Sequence, residues 1–175
     1  MRIAVYPGSF DPIHFGHMDI AQRSAALFDK LIVAVYDRPS KSLLFSTEER
    51  VALVRSVFKG VDYIDVQAYS GLTVEFARSV GARVLVRGLR VISDFELEYQ
   101  MALTNRQLSP EMDTICLMTR QEHAFLSASV VKEVFMAGGD VSQMVHPLVE
   151  SALAHKREYL EVNRDAIRIV SLGND

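Results

Sequence analysis

The stretch Tyr6–His17, YPGSFDPIHFGH, sets two glycines, two prolines, a serine and two histidines directly behind the apolar run RIAVY at 2–6. The run reads as a strand. The segment that follows, HMDIAQRSAALF at 17–28, carries apolar residues at three- and four-residue spacing and reads as a helix. The quoted stretch is therefore a strand-to-helix loop, the place where an α/β sheet binds ligands. Gly8 would let backbone come close to a ligand, Ser9 offers a hydroxyl and an amide, and Gly16 keeps the helix entrance open. His17 in the first turn can aim its imidazole where a helix N-terminus already favours phosphate, with His14 three residues earlier and close to it.

The same alternation continues outward. LIVAVY (31–36), YIDVQ (63–67), RVLV (83–86) and TICLM (114–118) read as further strands, most of them continuously apolar as expected when both faces are covered. TEERVALVRSVF (47–58), TVEFARSV (73–80) and DFELEYQMALTNRQL (94–108) read as helices between them. Ser46 before Glu49 and Ser93 before Glu96 each have capping-box spacing, and Gly81 and Gly138–Gly139 are expected helix stops. The expected fold is α/β: a Rossmann-like, doubly wound parallel sheet of about five strands with C-terminal helices. One domain is expected over 1–175. Its helical C-terminal part lies at about 140–163, notably PLVESALAHKREYLEV, and the tail 164–175 reads equally as a short strand, a docking arm or disorder.

Composition narrows the function. Hydrophobic residues make up 49% and charged residues 23% of the 175 positions, as in ordinary soluble proteins. No run is long enough to span a bilayer and the N-terminus lacks a signal-peptide pattern, so a cytoplasmic protein without membrane contact is expected. The single cysteine, Cys116, has apolar neighbours and is expected to be buried rather than reactive. A net charge of −3, from 22 acids against 19 Lys and Arg, argues against nucleic acid as a partner but not against a small anion.

Three more loops follow strands. RPSKSLLF (38–45) presents Lys41, VRGLR (86–90) flanks Gly88 with two guanidiniums suited to phosphate, and HAFLSASVVKE (123–133) sets Ser127 and Ser129 at another helix start. Singly, each could be a solvated lysine, a surface arginine pair or an ordinary capping serine. Together with the first loop they share one rim of the sheet. A zinc site at His14 and His17 is disfavoured, since no cysteine or third histidine accompanies them.

YPGSFDPIHFGH, PSK, RGLR, DFELE and SASVVKE, in this order and spacing from Arg2 to about Val149, resemble the bacterial phosphopantetheine adenylyltransferase family of the HxGH nucleotidylyltransferase superfamily. The resemblance implies reversible transfer of the adenylyl group of ATP to 4′-phosphopantetheine, with Mg2+, giving dephospho-coenzyme A and pyrophosphate. It places ATP at Ser9, Phe10, His17, Gly88, Leu89, Arg90, Glu98 and the loop His123, Ala124, Phe125, Leu126, Ser127, Ala128 and Ser129. It places phosphopantetheine at Ser9, Lys41, Thr73 and Arg87, and makes His17 the catalytic residue. It further implies a homohexamer with coenzyme A as a feedback inhibitor. His123, where the family commonly has Trp or Tyr, and Ala128, within a usual triple-serine run, depart from the pattern.

The nucleophile would be a phosphate monoester, already anionic near neutral pH, so the chemistry asks for positioning and charge neutralisation rather than a general base or covalent intermediate. Two rivals are a sister enzyme using nicotinate mononucleotide or glycerol phosphate, which PSK and RGLR oppose, and a silent nucleotide-binding protein. Intact His17, Lys41 and Arg87 oppose the latter.

Overall fold

The five apolar runs form one all-parallel sheet in the order β3-β2-β1-β4-β5, comprising β1 (Ile3–Gly8), β2 (Lys30–Tyr36), β3 (Ile64–Tyr69), β4 (Val84–Leu89) and β5 (Asp113–Met118). The computed structural model describes residues 1–39 and 42–163, so the expectations for Lys41 and for the tail 164–175 lie outside the described residues. The helices are α1 (Phe15–Ala25), α2 (Thr47–Val57), α3 (Thr73–Ser79), α4 (Ile92–Leu108), α5 (Ala128–Met136) and α6 (Pro147–Val162), with a 3-10 turn at Gln121–His123.

Continuous apolarity in β1 and β2 has the expected cause. Ala4, Tyr6, Leu31, Val33 and Val35 pack on one side of the sheet, while Val5, Ile32 and Ala34 pack on the other. The edge strands differ. On β5, Cys116 is exposed, against the expectation of burial; β5 is an edge strand, with a neighbouring strand on one side only. Partial desolvation and then the Glu98 carboxylate raise the thiol above its ordinary pKa, so exposure does not make it a ready nucleophile.

The Ser46–Glu49 capping box forms: Glu49 N donates to Ser46 Oγ at 3.2 Å and Ser46 N to Glu49 Oε2 at 2.7 Å. At the second expected box the serine is not the N-cap. Helix α4 starts at Ile92 with Val91 as N-cap, which puts Ser93 inside the helix. Asp94 serves that end instead, accepting from the Arg90 backbone N–H at 3.1 Å. Gly81 and Gly138 stop α3 and α5 with φ of 74° and 82°, which a Cβ would strain. The region after Gly139 turns helical only at Pro147, with His146 as N-cap, so residues 140–146 are turns rather than helix.

The sheet reverses its winding between β1 and β4. Strand β1 pairs with β2 at six positions, from Ile3–Lys30 to Gly8–Val35, but with β4 at only two, Ala4–Val84 and Val5–Leu85. Beyond Val5 and Leu85 the central strands part, and a cleft opens at their carboxyl ends as doubly wound topology dictates.

Candidate active site

Two chambers occupy that cleft, of about 410 Å3 and about 220 Å3, and Pro7, Gly8, Ser9, Arg87 and Glu98 line both. The larger is also lined by Phe10, His17, Gly88, Arg90 and the segment Leu126–Ser129. The smaller is lined by Thr73 together with Tyr36, Tyr69, Met101 and Ala102. Of the residues assigned from sequence to the two substrates, Phe10, His17, Gly88, Arg90 and Leu126–Ser129 line the larger chamber alone, Thr73 the smaller alone, and Ser9, Arg87 and Glu98 both. Leu89, His123, Ala124 and Phe125 line neither chamber. Leu89 is a buried strand residue whose carbonyl accepts Thr119 N at 2.8 Å, and His123 stacks on Phe15 with centroids 6.3 Å apart.

Local packing explains the loop's composition. Phe10 has a left-handed φ of 49°, and its ring is buried over Gly8, where a Cβ would lie 2.9 Å from Phe10 Cζ. The space freed by Gly8 is therefore filled by the chain's own phenyl ring rather than held open for a ligand. Gly16 likewise makes room for the His14 ring, whose Cε1 would lie 3.1 Å from an added Cβ. Gly88 lets α1 close onto β4, since its Cβ would meet Ile20 Cγ1 at 3.1 Å.

His14 and His17 come together as the spacing implied, stacked with centroids 3.7 Å apart and planes inclined at 25°. The ring of Phe10 meets His17 edge-on at 5.0 Å. His17 Nδ1 accepts the His14 backbone N–H at 3.3 Å, so the ring hydrogen of a neutral His17 sits on Nε2 as a donor. His14 is buried, and its Nδ1 has no hydrogen-bond partner among the described residues. Burial first, then the charges of Arg90 and His123, lower its pKa to about 3.

That shift has a consequence for stability. Below its ordinary pKa of 6.5 the unfolded chain protonates His14, whereas the folded chain refuses the proton until about pH 3. The contribution of neutral His14 is complete above pH 6.5 and is lost as pH falls through that window, by up to about 1.4 kcal/mol per pH unit. Urea unfolding at pH 7 and pH 5 should therefore show a larger acid loss for the wild type than for His14→Asn. Equal losses would remove His14 as the source.

The two arginines of VRGLR do not form a common fork. Arg87 donates through Nε and Nη2 to Glu98 at 2.7 and 2.6 Å, and through Nη1 to the Pro7 carbonyl at 2.8 Å. It bridges the gap where β1 and β4 part. Burial lowers its pKa, but the hydrogen bonds and charge of Glu98 outweigh this and the net shift is upward. Arg90 pairs with Asp94 at 3.0 Å and donates to the Leu126 carbonyl at 3.0 Å, which ties the β4 loop to the start of α5. Each guanidinium keeps donors beyond these bonds for an anion.

Sequence reasoning missed Arg50. Within TEER it looks like a solvated helix residue, yet it is fully buried. It donates to the carbonyls of Ser9 (2.8 Å), Tyr36 (2.7 Å), Asp37 (3.2 Å) and Phe45 (3.3 Å), and to Thr47 Oγ1 (2.9 Å). These bonds use all five of its N–H groups and lock the ends of β1 and β2 beside the chambers. Asp11 and Lys132 were missed as well, although both lie within quoted motifs; nothing in their neighbours distinguishes a buried ion pair from two surface charges.

The chain matches known proteins over most of its length. The family model described as cytidylyltransferase-like covers residues 5–134. Phosphopantetheine adenylyltransferase of Heliobacterium modesticaldum is 51% identical, over 89% of this chain and 93% of that protein. The enzymes of that name from Roseiflexus sp. (strain RS-1) and Alkalilimnicola ehrlichii are 52% and 50% identical, over 91% and 93% of this chain and 98% and 94% of theirs. A crystal structure described as a candidate nicotinate-nucleotide adenylyltransferase from Vibrio parahaemolyticus superposes with a TM-score of 0.65 over 89% of this chain and 93% of its own. At 18% identity that likeness speaks to the fold.

Proposed function

The chain belongs to the phosphopantetheine adenylyltransferase family, and from that premise we propose that its reaction takes place where the two chambers meet. It is a nucleotidyltransferase of coenzyme A biosynthesis, transferring the adenylyl group of ATP to 4′-phosphopantetheine to give dephospho-coenzyme A and pyrophosphate. The observation that carries the placement is the shared wall: Ser9, Arg87 and Glu98 face both spaces, and His17 faces the larger.

ATP takes the larger chamber, with Gly88–Arg90 at the end of β4 and the Leu126–Ser129 segment around it. The pantetheine arm takes the smaller, between the aromatic and aliphatic side chains of Tyr36, Tyr69 and Met101. Arg87, with Lys41, orients the acceptor phosphate in line with the α-phosphorus. His17 donates from Nε2 to an oxygen of that phosphorus as negative charge develops there. No proton need be taken from the nucleophile, and the donors stand preorganised by Glu98, Pro7 and His14. Among the described residues no cluster of three or more His, Cys, Asp or Glu side chains could hold a metal. Mg2+ would come with the phosphates of ATP and would supply charge neutralisation to the departing pyrophosphate.

A homohexamer is supported by the exposed apolar side chains of α4, including Ile92, Phe95, Leu97 and Leu103, with Met118 on the β5 edge. A sedimentation mass decides it. Coenzyme A, which shares the pantetheine arm with the substrate, fits the role of feedback inhibitor by competition. A cytoplasmic location is part of this reading; among the described residues no helix is long and apolar enough to cross a membrane.

The test is an acceptor panel with ATP and magnesium. Pyrophosphate release is expected with 4′-phosphopantetheine, and not with nicotinate mononucleotide, glycerol phosphate or pantetheine lacking its phosphate. The last lacks the nucleophile, and the other two lack the arm whose binding energy positions it. Release with nicotinate mononucleotide alone would transfer the chain to a different acceptor.

A further inference from the structure

We propose that Asp11 and Lys132 act as a positioning pair that holds the two substrate-bearing sides of the cleft in register, an inference that rests on the function above. Asp11 is fully buried. Its carboxylate accepts the Leu44 N–H at 2.9 Å, the Phe45 N–H at 2.9 Å and the Lys132 ammonium at 2.7 Å. Lys132 also reaches the Ser42 carbonyl at 3.5 Å. The loop of Asp11, the segment before α2 and helix α5 therefore converge on one carboxylate.

Each of the three serves a different part of the cleft. Asp11 lies between Ser9 and Phe10 on one side and His14 and His17 on the other, within the loop that lines both chambers. Ser42–Phe45 closes the segment that leaves β2 past Tyr36 and Pro39, which line the smaller chamber. Lys132 stands one helical turn beyond Ser129, which lines the larger. An in-line displacement needs both substrates held close to the reacting geometry, where a displacement of about 1 Å can cost about 100-fold in rate. The pair lines neither chamber, so its effect on chemistry passes through the segments it fastens.

Lys132→Met keeps the aliphatic stem and removes the charge. It should lower kcat by about 10- to 100-fold and raise KM for the acceptor, while the Kd for ATP stays within about twofold. Lys132→Arg should recover most of the loss. Without any substrate, amide exchange at Leu44 and Phe45 should quicken by at least about tenfold in Lys132→Met, and not in Lys132→Arg. Should Lys132→Met fail to fold, Asp11→Asn/Lys132→Met removes the stranded buried charge and makes the same predictions. Unchanged exchange at Leu44 and Phe45, or a fall in ATP affinity as large as the fall in kcat, would overturn the proposal. The exchange measurement judges the pair even in a protein that uses another acceptor, whereas the acceptor panel judges the function.

Discussion

His17→Ala is expected to lower kcat by about 10²–10³-fold, the loss that follows removal of one preorganised donor from a developing oxyanion. KM for either substrate should change little, because the contact strengthens only as charge develops on the α-phosphate. The variant should fold. His17 is half-buried, and its removal leaves the His14 backbone N–H without its 3.3 Å acceptor and the His14 ring without its stacking partner. Those losses cost about 1–2 kcal/mol in sum. His17→Gln offers a sharper reading. The Nδ1 atom accepts, so the donor is Nε2, and a glutamine amide can reach that position where an alanine cannot. Partial recovery with Gln is therefore expected in single-turnover kinetics. Alanine turnover within a few-fold of wild type would take His17 out of the mechanism.

Arg87→Ala should have a comparable effect by a different route. It removes the cation proposed to orient the acceptor phosphate, at about 1.5–3 kcal/mol per charge-assisted bond, which for two bonds is about 10²–10⁴-fold in kcat/KM for phosphopantetheine. It also strands Glu98, which is buried and keeps neither of its bonds at 2.7 and 2.6 Å. Breaking a buried pair on one side destabilises by about 3–5 kcal/mol, and the lower end applies here because a third of the Arg87 side chain is exposed. Arg87→Met/Glu98→Gln separates the two effects: stability should return and acceptor use should not. Titration with each ligand is the check. The loss should fall mainly on the acceptor, and equal loss for ATP would mean that the division of the cleft is wrong.

Only part of this site was legible in the chain. Ser9, His17, Arg87 and Arg90 could be placed on one rim because each lies at or beyond the carboxyl end of a strand, and strand ends in a parallel sheet share a rim, whereas Thr73 came only from the family resemblance. The partners of those residues could not be placed. Glu98 sits eleven residues from Arg87, on the next helix, and Lys132 sits 121 residues from Asp11. Neither spacing is a periodicity, so no local pattern announces the pair.

Local physics determined what the sequence alone could show: strands from apolar continuity, helices from three- and four-residue spacing, the start of α2 from the Ser46–Glu49 box, the ends of α3 and α5 from glycine. These depend on residues a few positions apart, and all survived folding. Wherever neighbours distant in the chain compete, the tertiary structure decided. Gly8 was expected to bring backbone close to a ligand, and it lines both chambers, but it is the Phe10 ring that fills the space a Cβ would need. Cys116 looked like core until β5 took the edge of the sheet, and Ser93 looked like a cap until Asp94 bound Arg90. Arg50 shows the limit most plainly. A charged residue on a helix has the same local pattern whether water or five protein oxygens surround it, and only the convergence of β1, β2 and α2 supplies those oxygens.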